Sequence, residues 1–314
     1  MTTAFVFPGQ GSQKIGMGKA LFDASAAARS VFEEVDDALS SRLSGLIFEG
    51  NEDELRLTEN AQPAIMTVSL AAVAAVKEAT GKEVADLASH VAGHSLGEYS
   101  ALAAAGALGV GQTAQLVRLR GKAMQQAVAV GEGAMAALLG LGAEAVDSVT
   151  DEASAAGGIC VTANDNSDGQ IVISGSKTAV ERAVDLAKDK GARRAVMLEV
   201  SAPFHCSLMQ PAADAMHEAL ADTSINAPAV PVIANVTAAP VQDADAIRAL
   251  LVQQVTGQVR WRESVLVLAK LGVQRQVELG PGSVLTGLVR RIDRSLSAEA
   301  VGDPDAVQAL AGSL

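Results

Sequence analysis

The sequence predicts an α/β protein in which a small β-α-β-β-α-β unit interrupts a larger domain of strands and helices. Two observations carry this prediction. The pentapeptide G-H-S-L-G (93–97) stands between an apolar run at 87–92 and a helix-forming stretch at 98–107, which is the strand-turn-helix context of a nucleophile elbow. Residues 131–200 then alternate short apolar runs with two helical segments. A chain of 314 residues is long enough to form a buried hydrophobic core in each of these two parts.

Ser95, the serine of the pentapeptide, is the candidate nucleophile. Glycines on both sides allow a tight turn, and the following helix directs its N-terminal amides at the same point. In such an elbow the backbone N–H of the next residue, Leu96, can stabilise an oxyanion. The alternative is an ordinary glycine-rich turn, because G-x-S-x-G also arises by chance.

Composition excludes several classes of protein. Aromatic residues make up 3% of the chain, which argues against stacking platforms for bases, and the net charge of -12 argues against non-specific binding of nucleic acid or anionic membranes. Two cysteines, Cys160 and Cys206, suggest no disulfide framework and fit a reducing compartment. Residues 1–8 lack the features of a signal peptide, and no uninterrupted apolar run of about 20 residues occurs, so we expect a cytoplasmic protein.

A short buried strand at 4–7 enters the loop P-G-Q-G-S-Q (8–13). The loop lacks the spacing of a phosphate loop, and a simple strand-to-helix connection is the alternative. Serine acyl-transfer enzymes take a second oxyanion donor from a loop after another strand, and the Gln10 N–H is the candidate here.

The remainder of the larger domain is predicted to be mainly helical. A break at 58–63 precedes a buried apolar helix at 64–79. Helix 110–128 carries Arg118 and Arg120, about 200° apart, so one of them can face inward. The C-terminal part is predicted as helices at 208–221, 247–255, 264–270 and 284–292, strands at 229–235 and 276–279, and a polar tail at 295–314 that need not be ordered.

The inserted unit has the element order of a ferredoxin-like fold. Its predicted elements are strand 134–141, helix 143–155, strand 159–163, turn 164–169, strand 170–174, helix 178–190 and strand 194–200. We place this unit at 131–199, between two parts of the larger domain at 1–130 and 200–314.

His205 is the candidate base for Ser95. It follows the serine in the chain and lies on a proline-containing loop, whereas His94 is better explained as structural, and His90 and His217 as structural or exposed. No carboxylate partner for His205 is evident, and a backbone carbonyl can fix a histidine tautomer equally well. A rival nucleophile, Cys206, lacks an elbow, and no clustered spacing of metal ligands occurs.

Six stretches of the sequence carry a resemblance to a known family: F-V-F-P-G-Q-G-S-Q (5–13), Q-P-A (62–64), A-G-H-S-L-G-E-Y-S-A-L (92–102), R-G-K-A-M-Q (120–125), S-A-P-F-H-C-S-L-M (201–209) and E-L-G-P-G-S-V-L-T-G-L (278–288). Together they resemble the malonyl-CoA:acyl carrier protein transacylases of bacterial type II fatty-acid synthesis. The resemblance covers nearly the full length. The family implies an α/β-hydrolase-like large subdomain with an inserted ferredoxin-like small subdomain.

The resemblance also implies roles for individual residues. These are Ser95 as nucleophile, His205 as base, Arg120 as the partner of the malonyl carboxylate, Gln10 and Leu96 as oxyanion amides, the Gln254 carbonyl as the group that orients the histidine, and Asn164 as a further active-site residue. It implies ping-pong transfer of malonyl from malonyl-CoA through Ser95 to the phosphopantetheine thiol of acyl carrier protein, without a metal or redox cofactor. Phe204 is the residue type that goes with malonyl over methylmalonyl in related polyketide acyltransferases.

Carrier protein, acidic by analogy, needs a basic patch on an acidic enzyme. The candidates are two basic runs, either of which would serve as the docking site: Lys188, Lys190, Arg193 and Arg194 in the first, and Arg290, Arg291 and Arg294 in the second. Lys190, Arg290 and Arg291 are chosen as the patch residues, and a solvated face is the alternative. We expect a monomer. Two other functions stay open: a serine hydrolase or thioesterase, which has no reason to hold Arg120 in its site, and an idle carrier-binding module or a subunit of a malonate-decarboxylating complex.

Overall fold

Strands and helices alternate along the chain, and the computed structural model describes them over residues 1–200 and 202–313. Ser201, which begins one of the matching stretches, and Leu314 lie outside the described residues. The strands are β1 (Thr3–Phe7), β2 (His90–Gly93), β3 (Gly133–Leu139), β4 (Cys160–Ser167), β5 (Gln170–Ser176), β6 (Arg194–Met197), β7 (Val232–Ala234), β8 (Ala239–Val241), β9 (Arg275–Leu279) and β10 (Ser297–Val301).

The helices alternate with these strands and pack against both sheets. They are α1 (Lys19–Ala24), α2 (Ala26–Leu39), α3 (Leu43–Glu49), α4 (Glu52–Arg56), α5 (Thr58–Thr80), α6 (Val84–Leu87), α7 (Gly97–Ala104), α8 (Val110–Gln126), α9 (Ala143–Ala155), α10 (Lys177–Asp189), α11 (Gln210–Ala221), α12 (Ala244–Thr256), α13 (Trp261–Lys270), α14 (Val284–Ile292) and α15 (Pro304–Ser313), with a 3-10 turn at Ser207–Met209.

The larger sheet has the strand order β10-β9-β1-β2-β7-β8 and is parallel except for β8. Every residue of β1 is buried, as expected for a central parallel strand with helices on both faces. Because the strands run in parallel, the loops after β1 and β2 emerge at the same edge of the sheet. The oxyanion loop and the nucleophile elbow are therefore brought together by the topology.

The smaller sheet has the order β4-β5-β3-β6 and is antiparallel, with α9 and α10 packed against it. This is the predicted β-α-β-β-α-β arrangement, and the predicted fold class is confirmed. The elements lie between Gly133 and Met197. The exact division of the chain at residues 130 and 200 stays a prediction.

The prediction of a turn at 164–169 was wrong for its first four residues. Strand β4 continues to Ser167, because two irregularities in its pairing with β5 let the polar residues remain in the ladder. The turn is confined to residues 168–169. As a result Asn164 is buried on a strand instead of lying on an exposed loop.

Helix α5 begins earlier than predicted. Residues 58–63, expected to break the chain, form its first turns, and Pro63 lies inside the helix. The helix is long and apolar enough to cross a membrane by length and composition alone, but 72% of its most apolar window is buried inside the protein. Packing against α2 and α8 accounts for this apolar surface, as in the central helix of a globular core.

Three further expectations were wrong in detail. The strand predicted at 87–92 is shortened to His90–Gly93, because residues 84–87 form the helical turn α6 capped by Glu83 and Asp86. The strand predicted at 229–235 is shortened to β7, which turns back to form β8. The described part of the tail, residues 295–313, is ordered, since β10 pairs with β9 along five residues and α15 packs on α5.

Candidate active site

The pentapeptide forms a sharp turn between β2 and α7, with Ser95 at its apex. Ser95 has a φ of 53°, a left-handed conformation that is uncommon for a residue with a side chain. A β-carbon on Gly93 would collide with the backbone of Gly97, and one on Gly97 would collide with the Phe7 carbonyl. Both glycines are therefore required for the elbow to fit against β1, as the motif predicts.

The side chain of Ser95 meets that of His205. The distance from Ser95 Oγ to His205 Nε2 is 2.8 Å, and His205 is 3% exposed. On the other side of the ring, Nδ1 lies 2.9 Å from the Gln254 carbonyl oxygen and 3.1 Å from that of Gly257. Because carbonyl oxygens can only accept, Nδ1 carries the ring proton and Nε2 presents its lone pair to the serine hydroxyl. The Gln254 carbonyl lies where the resemblance implies.

His205 is held neutral. Burial, and then the positive charge of Arg120, lower the pKa of His205 from 6.5 to about 3. The backbone of His205 is also in a left-handed conformation, with a φ of 60°. A neutral imidazole with its lone pair toward a hydroxyl is the state required of a general base.

Arg120 is the inward-facing member of the arginine pair on α8. It is 1% exposed, whereas Arg118 is half-buried. Its Nη2 donates to Ser95 Oγ at 3.0 Å and to Gln254 Oε1 at 2.9 Å, and its Nη1 donates to Gln62 Oε1 at 2.8 Å. These acceptors are neutral oxygens, so a buried cation stands beside the candidate nucleophile with a strong preference for an anion.

Among the described residues, the hydrogen bonds around Ser95, Arg120 and Gln254 include three side chains that were not predicted: Gln62, Glu98 and Asn235. Glu98 Oε2 accepts from Gln254 Nε2 at 2.7 Å and from the Asn235 backbone N–H at 3.1 Å. Asn235 Oδ1 accepts from the Ser95 backbone N–H at 2.7 Å. Glu98 directly follows the pentapeptide and Gln62 stands in a matching stretch, but nothing in the sequence shows which distant residues they meet.

Burial raises the pKa of Glu98 from 4.5 to about 7, against the opposing effects of the hydrogen bonds from Gln254 and Asn235 and of the charge on Arg120. The same desolvation lowers the pKa of Arg120, and Glu98 and Tyr99 oppose that change. The Arg120 guanidinium also lies over the Tyr99 ring, 5.8 Å from its centroid. Arginine nevertheless stays protonated in proteins.

The two residues that carry the predicted oxyanion amides, Gln10 and Leu96, line the same cavity as Ser95. Among residues 1–200 and 202–313, neither of their backbone N–H groups has a hydrogen-bond acceptor. Gly9 keeps the loop close to the elbow, since a β-carbon there would lie 2.8 Å from the His94 carbonyl oxygen. Two free N–H groups at the start of a helix and in an adjoining loop suit a developing negative charge.

The cavity has a volume of about 430 Å³ and lies between the two sheets. Strand β4 contributes Asn164 and Asn166 to its wall, and Asn166 Oδ1 is 2.8 Å from His94 Nε2. Phe204 and Met135 add apolar surface. Within the described part of the chain, His, Cys, Asp and Glu side chains form no group of three that could hold a metal ion.

The basic residues of the predicted patch differ in whether an acidic partner neutralises them. Lys190 is paired with Glu152 at 2.9 Å, whereas Arg291 donates to the neutral Gln170 at 2.8 Å. Arg193, Arg194 and Arg291 line one depression of about 550 Å³. The two basic runs, far apart in sequence, therefore meet on one surface, with Arg290 exposed on the same helix as Arg291.

Comparison with known proteins shows similarity over the whole chain. Residues 4–313 match the acyl transferase domain. The chain is 48% identical over 305 residues to a malonyl CoA-acyl carrier protein transacylase of Bacillus subtilis (strain 168), covering 97% of this chain and 95% of that one, and 45% identical over 306 residues to its namesake in Escherichia coli (strain K12), covering 98% and 97%.

Solved structures agree with these matches. An acyl-carrier-protein-S-malonyltransferase from Bartonella henselae is 55% identical with a TM-score of 0.96, covering 98% of each chain. A malonyl-transacylase solved in complex with its type II PKS acyl-carrier protein is 44% identical with a TM-score of 0.96, covering 100% of each chain.

Proposed function

The chain belongs to the acyl transferase domain family, and from this membership we propose that it transfers the malonyl group of malonyl-CoA to the phosphopantetheine thiol of acyl carrier protein. It is an acyltransferase, and the resemblance that the sequence indicated is confirmed. The malonyl group would pass through an ester on Ser95 and supply chain elongation in fatty-acid synthesis in the cytoplasm.

The observation that carries the proposal is the position of Arg120. Its Nη2 lies 3.0 Å from Ser95 Oγ, so an acyl group bound to Ser95 would extend past a buried guanidinium. A free carboxylate two carbons from the reacting carbonyl can take the place of the hydroxyl as an acceptor and form two parallel hydrogen bonds. A general hydrolase would gain nothing from a buried cation at this point.

In the first half of the cycle, His205 Nε2 takes the hydroxyl proton while Ser95 Oγ attacks the thioester carbon. The carbonyl oxygen becomes an oxyanion that the backbone amides of Gln10 and Leu96 stabilise. The carbon–sulfur bond then breaks, and the CoA sulfur leaves with the proton from His205. The product is a malonyl ester on Ser95 and free CoA thiol.

In the second half, the phosphopantetheine thiol of the carrier gives its proton to His205 and attacks the ester. The same amides stabilise the oxyanion, the carbon–oxygen bond breaks, and the proton returns to Ser95. Each half exchanges one ester or thioester for another, so the reaction needs no metal or redox cofactor. The malonyl carboxylate bound to Arg120 would also offset the positive charge of that arginine, which lowers the pKa of His205. The bound substrate therefore favours protonation of the base during the reaction.

One assay tests the proposal against its alternatives. The protein is incubated with malonyl-CoA, with and without carrier protein, and the malonyl group is followed. We expect malonyl on the carrier thiol and little free malonate. Malonate released to water would identify a thioesterase, decarboxylation would indicate a subunit of a decarboxylating complex, and no turnover would indicate an idle carrier-binding module.

Without carrier protein, malonyl-CoA should add one malonyl group to the protein, at Ser95. Intact-mass analysis should show a single addition that is absent in Ser95→Ala and retained in the matched control Cys206→Ala. The reason is the elbow, which places Ser95 Oγ 2.8 Å from the base while Cys206 is buried and donates to the Pro203 carbonyl. An addition that survives in Ser95→Ala would contradict the assignment.

Acylation should be nearly independent of pH between about 5 and 8, because His205 has a pKa of about 3 in the free enzyme and stays neutral throughout. A histidine with the ordinary pKa of 6.5 would be only about 3% neutral at pH 5, and the rate would fall about thirtyfold. The measurement is kcat/KM for acylation by malonyl-CoA, which reports ionisations of the free enzyme. A thirtyfold fall with a midpoint near 6.5, with the fold intact by circular dichroism, would contradict the assigned environment.

Charge reversal at Arg291 or Arg194 should raise KM for carrier protein several-fold and leave acylation by malonyl-CoA unchanged. Both residues are exposed on the depression where the two basic runs meet. The loss should shrink at high salt, because surface electrostatics are screened. Arg42→Glu, an exposed arginine at the start of α3, is the matched control. An unchanged, salt-independent KM in both variants would show that the patch is a solvated face.

A further inference from the structure

We propose that Glu98 is a positioning residue for the substrate-binding arginine: its carboxylate fixes the side-chain amide of Gln254, and that amide holds Arg120 beside Ser95. The proposal deepens the proposed function and rests on it, since Arg120 is taken to bind the malonyl carboxylate. Glu98 itself touches neither substrate nor the reacting atoms.

The Gln254 amide uses both of its ends. Its Nε2 donates to Glu98 Oε2 at 2.7 Å and to the Ser95 carbonyl at 2.9 Å, while its Oε1 accepts from Arg120 Nη2 at 2.9 Å. The reversed amide would place its oxygen against two acceptors and its NH₂ group against a cation. Of the two oxygens that accept from Nε2, Glu98 Oε2 is the nearer one, so it contributes most to selecting the observed orientation.

Glu98 is held in place relative to the elbow. It lies in the first turn of α7 and is 3% exposed. The backbone N–H of Asn235 donates to the same oxygen, Oε2, at 3.1 Å. The Asn235 side chain in turn donates to the Gly93 carbonyl at 2.7 Å and accepts from the Ser95 N–H at 2.7 Å. Hydrogen bonds through Glu98 and Asn235 therefore connect the Gln254 side chain to the backbone of Gly93 and Ser95 in the elbow.

The role of Glu98 does not depend on its charge state. Both hydrogen bonds end on Oε2, so a proton on Oε1 leaves them in place. With a pKa near 7, the carboxyl group is partly protonated at neutral pH and can still accept from Gln254. An uncharged glutamine at this position can accept both bonds through its one amide oxygen.

Loss of the Glu98 carboxylate should lower kcat/KM for malonyl-CoA more than kcat/KM for acetyl-CoA. A freed Gln254 side chain no longer fixes Arg120, which contacts the malonyl carboxylate, but an acetyl group has no carboxylate to misplace. The base is spared, because His205 is held by the backbone carbonyls of Gln254 and Gly257. The ratio of kcat/KM for malonyl-CoA to that for acetyl-CoA therefore reports positioning, whereas a general loss of stability would lower both.

The test compares two substitutions of similar length, Glu98→Gln and Glu98→Met, by single-turnover acylation with malonyl-CoA and acetyl-CoA. Glu98→Met, which removes the strong acceptor but keeps the volume, should lower the malonyl-to-acetyl ratio about tenfold or more. Glu98→Gln should keep the ratio within about threefold of the wild type. Gln254→Met should lower the ratio like Glu98→Met, and the double variant should lower it no further, because both changes remove one pathway.

Two results would overturn the proposal: an unchanged malonyl-to-acetyl ratio in Glu98→Met, whether or not both rates fall, or a tenfold loss of that ratio in Glu98→Gln. If Glu98→Met does not fold, as judged by circular dichroism, a retained ratio in Glu98→Gln together with a lost ratio in Gln254→Met is required. A wild-type protein that transfers no malonyl would refute the proposed function itself, whereas a malonyl preference that Glu98 does not influence would refute only this inference.

Discussion

Substitution of His205 by alanine should slow acylation of Ser95 by at least about three orders of magnitude, in line with the loss of a base in triad-type sites. The Ser95 hydroxyl is then left with Arg120 Nη2 at 3.0 Å, a donor that cannot accept its proton. Stopped-flow or quenched-flow acylation by malonyl-CoA measures the effect, and the residual rate reports the oxyanion amides and substrate binding alone.

His217→Ala is a matched control for this change, since His217 lies on α11 outside the cavity. It should acylate at the wild-type rate. Removing His205 also leaves the carbonyls of Gln254 and Gly257 without their donor, so the melting temperature is measured alongside. A folded His205→Ala variant with a near-normal rate would show that another base operates.

The sequence predicted those parts of the site that depend on local patterns. The Ser95 elbow follows from glycine spacing, and His205 follows from elimination among four histidines. The spacing of Arg118 and Arg120 indicated that one of them can face inward, but it did not indicate which one. The resemblance selected Arg120, and the structure places it 3.0 Å from Ser95 Oγ.

Contacts between residues far apart in the chain could not be predicted from the sequence. Asn235 meets Ser95 across 140 residues, and Gln254 meets Glu98 across 156, so their pairing depends on how α7, β7 and α12 come together. The same reason explains the errors in the fold. The segment Ser297–Val301 has weak intrinsic preference for a strand and becomes one because β9 offers it a parallel partner.

Arg120→Ala should abolish most malonyl transfer while acetyl transfer holds or rises. The malonyl carboxylate would enter a buried site without a cation, and loss of one member of a buried ion pair costs about 3–5 kcal/mol. At 1.36 kcal/mol per factor of ten, this corresponds to a fall in kcat/KM of roughly two to three orders of magnitude or more. For acetyl-CoA, kcat/KM should hold or rise in Arg120→Ala, because in the wild type an acetyl group leaves the buried guanidinium without an anion.

Two variants separate charge from geometry. Arg120→Lys should recover only part of the activity, because an ammonium cannot donate to Gln62, Gln254 and the carboxylate from one planar fork. Arg118→Ala, on the same helix but half-buried and outside the cavity, should keep both activities. The measurement is kcat/KM for malonyl-CoA and acetyl-CoA in each variant. An equal fall for the two acyl groups in Arg120→Ala would mean that the buried arginine supports the fold and does not select the substrate.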